Sequence, residues 1–192
     1  MLKDKTSLGY EFLYFYYYYP KNDPSLEKIL KDKDKNNREL IFKFKNCEQE
    51  GVELLNLIKN LIKNENNKDT IIIFIPSSKL EKNEKRKKFV HDNWDIEFPY
   101  YFLDIKQNLE ASHNGGSRDF NELKNNMVIP NNLSNIEIQN KKIIIIDDII
   151  TSGNHYHAII SILKDFYLKK TGSTLNSKFL GIFIAKTSHH YF

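Results

Sequence analysis

The sequence contains little cysteine and no long apolar segment, and each absence narrows the range of functions. Cys47 is the single cysteine among 192 residues, so the chain cannot form an internal disulfide or assemble a cysteine-based zinc site. This usage suits a reducing compartment, and the cytoplasm is the expected location. The isoleucine-rich runs at 71–75 and 143–146 are far too short to span a bilayer about 30 Å thick, so no membrane partner is expected.

An excess of charge of one sign is also missing. Lys and Arg total 29 against 25 Asp and Glu, which gives a net charge of +4 with the lysines spread along the chain. Such a balance is compatible with an anionic small molecule and is too weak to indicate a nucleic-acid partner. The length and the hydrophobic content of 40% predict a single domain over residues 1–192.

The most informative segment runs from Ile143 to Gly153. Its four consecutive isoleucines show no alternation of apolar and polar positions, which predicts a strand buried on both faces in a parallel sheet. Asp147 and Asp148 follow the isoleucines and are expected at the carboxyl end of that strand, where open α/β sheets bind ligands.

Small and polar residues then lead into a helix with an apolar stripe. The unpaired amides at its N-terminus favour an anion beside the two carboxylates. An acidic strand end is also typical of nucleotide hydrolases, but the phosphate loop Gly-x-x-x-x-Gly-Lys-[Ser/Thr] that they require is absent. A buried strand that ends in a solvated Asp-Asp turn with no ligand remains an alternative.

A second unbroken β-branched run, at 70–75, predicts another central parallel strand. The turn Pro76-Ser77-Ser78-Lys79 follows at once, and the carboxyl ends of parallel strands lie at one edge of a sheet.

The run Glu81–Lys88 carries five basic residues and could bind a pyrophosphate or a polynucleotide. Its composition is more typical of a solvated helix face. In the N-terminal half, residues 31–38 predict a charged turn and residues 40–44 a short strand.

Ile143–Gly153 resembles the PRPP-binding loop of the type I phosphoribosyltransferases, where PRPP is 5-phosphoribosyl 1-diphosphate. The family pattern is four apolar residues, two acidic residues, two mostly apolar residues and then Thr-[Thr/Ser]-Gly-x-Thr, and this chain departs at the last position, His155. The resemblance implies a three-layer α/β fold with a central, mainly parallel sheet and a small hood built from terminal segments. Residues 1–45 would belong to the hood and residues 46–192 to the core.

The same resemblance implies roles for individual residues. The acidic pair would hold the ribose hydroxyls during catalysis, helped by a charged residue on a mobile loop within 107–126, and Mg²⁺ would be held mainly through PRPP. The catalytic residues would then be Asp147, Asp148 and Arg118; the 5-phosphate would contact Thr151, Ser152, Gly153, Asn154 and His155; and pyrophosphate would contact Pro76, Ser77, Ser78 and Lys79.

The layout over residues 40–187 is most similar to the ComF-type branch, without the zinc segment with which that branch usually begins. Enzymes for 6-oxopurines place an acid at the position of Thr151, so the hydroxyl there argues against that acceptor. The implied activity is transfer of a 5-phosphoribosyl group to an unidentified nitrogenous acceptor with release of pyrophosphate. The alternative is a non-catalytic accessory that binds PRPP or a nucleotide during DNA uptake or nucleic-acid handling. A homodimer is left open.

Overall fold

A six-stranded sheet forms the centre of the computed structural model, which describes residues 1–19, 30–109 and 119–188. The strands are β1 Leu2–Lys5, β2 Glu11–Tyr18, β3 Thr70–Phe74, β4 Tyr100–Phe102, β5 Asp104–Ile105, β6 Met127–Val128, β7 Lys142–Ile150 and β8 Lys178–Thr187. The spatial order of the six strands in the sheet is β1-β2-β8-β7-β3-β4, and only the β1–β2 pair is antiparallel. The strands β5 and β6 form a separate antiparallel pair.

Helices cover both faces of this sheet. The helices are α1 Asp32–Lys45, α2 Val52–Ile62, preceded by a 3-10 turn at Gln49–Gly51, α3 Leu80–Asn93, α4 Phe120–Asn126, α5 Asn131–Ser134 and α6 Asn154–Thr171. Buried residues of α4, α5 and α6 pack on one face, and those of α1, α2 and α3 pack on the other. This arrangement confirms the predicted three-layer α/β architecture with a mainly parallel sheet.

The two isoleucine runs are the central strands, as their lack of alternation predicted. Along β7, Ile143 and Ile145 face the α6 layer, whereas Ile144 and Ile146 face the layer of α1, α2 and α3. Strand β3 pairs with β7 in parallel, with Ile71 opposite Ile143. Because both faces are covered by helices, the isoleucine-rich stretches of these strands, 71–74 and 143–146, are apolar at every position.

The predicted turn at 31–38 and strand at 40–44 are wrong, since both lie in the single helix α1. Arg38, Ile41 and Phe44 are its buried residues, and a spacing of three places them on one face of a helix. Acidic side chains in its first turn and basic ones in its last turn also complement the helix dipole.

Residues 1–45 contribute to the sheet and to one of its faces. Strand β2 is hydrogen-bonded between β1 and β8, and its Phe12 and Tyr14 are buried in the α6-facing core. The first strands and α1 are thus parts of the core layers, and residues 20–29 lie outside the described part. Within the described ranges, no helix is both long and apolar enough to cross a membrane.

A candidate functional site at the carboxyl edge of the sheet

The direction of chain connections reverses between β3 and β7. From β3 the chain passes through α3 to β4 on one side, and from β7 it passes through α6 to β8 on the other side. The helices α3 and α6 lie on opposite faces of the sheet. The segments that leave the two strands therefore diverge and leave a crevice at their carboxyl ends, which is where open α/β sheets bind ligands.

The segment Pro76–Lys79 forms one wall of this crevice. Pro76 is buried, Ser77 and Ser78 are half-buried, and Lys79 is exposed. The backbone N–H of Ser77 donates to the side-chain oxygen of Asn83, whose residue is itself buried. That bond fixes the loop to the first turn of α3, and it occupies one of the amides predicted from the sequence to contact pyrophosphate.

The segment Thr151–His155 forms the opposite wall. Thr151 and Ser152 are exposed, and Gly153 is the residue before α6, with φ at 81°. This left-handed conformation favours glycine. It turns the chain into the helix, so that the first amides of α6 and the hydroxyls of Thr151 and Ser152 lie at the same edge. The positive end of the helix dipole adds a preference for an anion.

The two segments meet at a small cavity. His155 of one segment and Pro76, Ser77 and Ser78 of the other all contribute to its lining. Its volume is about 10 Å³, which is room for roughly one water molecule. Its other lining residues are Ile105, Leu109, Leu123, Asn126 and Met127.

Asp147 and Asp148 lie within β7 and are buried. The strand continues to Ile150, so the predicted strand end at the acidic pair is wrong. The exposed fractions of the two side chains are only 8% and 11%. Both carboxylates are bonded to a partner inside the protein, and their contact with a ligand stays a prediction.

That partner is Arg86 of α3, which is 8% exposed. Its Nη1 donates to Asp147 Oδ1 at 3.1 Å and to the carbonyl oxygen of Ile75 at 3.0 Å. Its Nη2 donates to Asp148 Oδ2 at 3.4 Å. Lys45 Nζ lies 3.9 Å from the same Asp148 oxygen. The guanidinium thus links the acidic pair to the end of β3, directly before Pro76.

Burial and charge act differently on the two carboxylates. Burial, followed by the charge of Asp148, raises the pKa of Asp147 to about 7, against the opposing effect of Arg86. Burial also acts to raise the pKa of Asp148, but the charges of Arg86 and Lys45 outweigh it and the pKa is lowered. Below about pH 7 the pair is therefore expected to hold one proton and one negative charge.

The interpretation of Glu81–Lys88 as a solvated face missed Arg86. The lysines of this run are exposed or half-buried, whereas Arg86 is buried together with Asn83, Phe89 and Val90. These four positions are spaced by three or four residues and form one face of α3. The same spacing in the sequence was the available signal that Arg86 faces the sheet.

Arg118 and residues 110–118 lie outside the described part of the chain, so the role of Arg118 stays a prediction. The helix α4 begins at Phe120, just after this segment. Asn126 at its end bonds the backbone of Gln107 through both its amide oxygen and its amide nitrogen. These two bonds join the end of α4 to the chain just after β5.

The residues at the acidic pair do not fit a directly bound Mg²⁺. The described residues include no group of three or more His, Cys, Asp and Glu side chains suited to a metal ion. Both carboxylates of the pair are already bonded to a guanidinium.

No protein-family model matches this chain. No curated protein matches it either. Among solved structures, one crystal form of a hypoxanthine phosphoribosyltransferase from Staphylococcus aureus matches with 16% identity and a TM-score of 0.35, over 81% of this chain and 77% of that chain. A second crystal form matches with 15% identity and the same TM-score, over 78% and 74% of the two chains. Likeness at this level assigns neither a family nor an activity.

Proposed function

We propose that the chain binds PRPP in the crevice between β3 and β7 and transfers its 5-phosphoribosyl group to a nitrogenous acceptor, releasing pyrophosphate. The observation that supports this proposal is the meeting of Pro76–Ser78 and His155 at one cavity beside the N-terminus of α6. The two segments offer the chemistry that two phosphate groups require, namely amides, hydroxyls and the exposed Lys79.

The 5-phosphate would bind at Thr151–His155 and the diphosphate at Pro76–Lys79. The ribose between them would lie near Asp147 and Asp148, whose oxygens accept hydroxyl hydrogen bonds and repel phosphate. As pyrophosphate departs, positive charge develops on the ribose. Carboxylate oxygens fixed close to the ribose would stabilise that transition state, with part of their charge offset by the guanidinium of Arg86. The proposed reaction needs no nucleophilic side chain.

A second candidate, a non-catalytic PRPP-binding or nucleotide-binding accessory, is favoured by the contacts of the acidic pair. Asp148 uses Oδ2 for Arg86 and Oδ1 for the backbone N–H of Ile149 at 2.8 Å. Ribose hydroxyls must therefore compete with bonds that already exist. The hydroxyl of Thr151, in a position where 6-oxopurine enzymes carry an acid, gives no obvious route for a proton from the acceptor.

Calorimetric titration with PRPP, in the presence and absence of Mg²⁺, tests the binding step. Ser152→Asp places a negative charge among the proposed phosphate donors at an exposed position, so it should weaken PRPP binding at least about tenfold without loss of the fold. Ser173→Asp is the matched control, because Ser173 is also exposed but follows the far end of α6. Equal PRPP affinity in both variants would place the ligand elsewhere, and no binding to the wild type would refute the proposal.

A screen of free bases and amines for pyrophosphate release then separates the two candidates. If the protein is an enzyme, it should release pyrophosphate only when an acceptor is present, and Ser152→Asp should lower the rate of release. If it is a non-catalytic accessory, Ser152→Asp should weaken PRPP binding in the same way, but no acceptor should cause pyrophosphate release.

A further inference from the structure

The oxygens around the acidic pair resemble part of a binding site for Mg²⁺ or Ca²⁺, but the side chain of Arg86 already occupies its centre. Three oxygens converge there, two from β7 and one from the residue that follows β3: Asp147 Oδ1, Asp148 Oδ2 and the Ile75 carbonyl. Carboxylate and carbonyl oxygens are the ligands that Mg²⁺ and Ca²⁺ prefer. Each of the three instead accepts a hydrogen bond from Arg86.

We propose that Arg86 is an internal counter-ion that takes the place of a divalent cation and excludes such cations from Asp147 and Asp148. Its guanidinium is planar and permanently charged, and its two terminal nitrogens can reach two carboxylates at once. A divalent ion on the same oxygens would lie within a few ångströms of this charge and would be strongly repelled.

Burial makes this arrangement persistent. Arg86 and both carboxylates are nearly inaccessible, and Phe44, Phe74 and Phe89 pack beside Arg86 and Asp147 around a cavity of about 10 Å³. An arginine that left the acidic pair would lose its bonds within an apolar wall, with room for only about one water molecule as a replacement. Rotation of Arg86 to admit a metal is therefore costly.

The consequence for specificity is that the acidic pair could bind sugar hydroxyls without binding a metal ion. Hydroxyl groups need acceptors and not a free negative charge, so a neutralised pair can still bind a sugar. A divalent ion would enter only with a ligand that brings its own phosphate oxygens. The inference concerns the carboxylates of the proposed site, but it rests on their contacts with Arg86 and not on PRPP binding.

Binding of Mn²⁺, followed by electron paramagnetic resonance of the free ion with no phosphate ligand present, tests the inference. Wild type and Asp147→Asn should give the same Mn²⁺ isotherm, because the pair binds no metal while Arg86 is in place. Arg86→Met should gain a Mn²⁺ site at least about tenfold tighter than any in the wild type, since a nearby repelling charge is removed. The site should disappear in Arg86→Met combined with Asp147→Asn and Asp148→Asn.

Lys88→Met is the matched control, because it removes one exposed cation from the same helix without touching the pair, and it should gain no site. The inference is overturned if the wild type binds Mn²⁺ at a site that Asp147→Asn removes, or if folded Arg86→Met gains none. If Arg86→Met does not fold, the comparison of wild type with Asp147→Asn decides. Failure of PRPP to bind in calorimetry would refute the proposed function and leave these Mn²⁺ results unchanged.

Discussion

Replacing both carboxylates by amides, Asp147→Asn with Asp148→Asn, should destabilise the protein strongly. From the sequence, this double substitution is expected to weaken ligand binding and to spare the fold, because the two carboxylates would face the ligand. In the structure it leaves the guanidinium of Arg86 buried at 8% exposure without a counter-ion. Breaking a buried ion pair by removing one partner costs about 3–5 kcal/mol.

We expect a cost near the lower end of that range, about 3 kcal/mol. The Asn side-chain oxygens can still accept from Arg86, so hydrogen bonds survive and mainly charge is lost. Because globular domains are stable by only about 5–15 kcal/mol, the loss is large, and it corresponds to a fall in Tm on the order of 10 °C for a chain of this size. Urea unfolding followed by circular dichroism measures it as a shift in midpoint at constant slope.

The neutral triple variant, with Arg86→Met added, is the control for the ion pair itself. Removing the unpaired cation should recover part of the loss, since replacing a buried ion pair by apolar groups is often close to neutral. The reasoning is refuted if the free energy of unfolding of the double variant lies within about 1 kcal/mol of the wild-type value, because so small a change needs no buried ion pair to explain it. That result would mean that the carboxylates are free to face a ligand, as the sequence suggested.

Four further outcomes are expected. The pKa of Asp147 is raised from 3.8 to about 7 in the folded protein, so protonation of this carboxyl stabilises the folded state. That contribution to the free energy of unfolding is complete below about pH 4 and falls by up to about 1.4 kcal/mol per pH unit until pH 7. The urea midpoint of the wild type should show this decline, and that of Asp147→Asn should not. Gly153→Ala should cost about 1–2 kcal/mol because of its positive φ at 81°, so an unchanged midpoint would contradict the left-handed turn. Tyr156→Phe removes the hydroxyl that donates to the Glu11 carbonyl at 3.0 Å and should cost about 1 kcal/mol in the same assay. Hydrogen exchange over 108–122 should be fast without ligand and slower with PRPP and Mg²⁺, and Arg118→Ala should lower the transfer rate more than PRPP affinity; strong protection in both states would contradict a closing loop.

The central strands could be predicted because their sequence signal is local. A run of β-branched residues with no polar alternation is compatible with few structures other than a strand covered on both faces, and β3 and β7 have this form. Their pairing follows from the rule that such strands are parallel and joined by crossover helices. The crevice then follows from the order of the strands. Layer architecture and the place of a candidate site are therefore consequences of two short segments.

The helix α1 could not be predicted in the same way. Its amino-acid composition does not favour a helix, and only the spacing of its few buried residues indicates one. Its buried residues are separated by three positions along a run dominated by Lys, Asn and Asp. The packing of Ile41 and Phe44 against the sheet supplies the energy that the local sequence lacks.

The contact between Arg86 and the acidic pair is harder still to predict, since 61 residues separate Arg86 from Asp147. Lys85 and Lys87 stand on either side of Arg86, and a helix turns by about 100° per residue. Of these three basic residues only Arg86 lies on the buried face of α3. The rotation of the helix about its axis therefore decides which basic side chain contacts the carboxylates. The residue type at that position matters as much as its charge. A lysine there would present one compact ammonium group, whereas the arginine fork reaches both carboxylates and the end of β3 together.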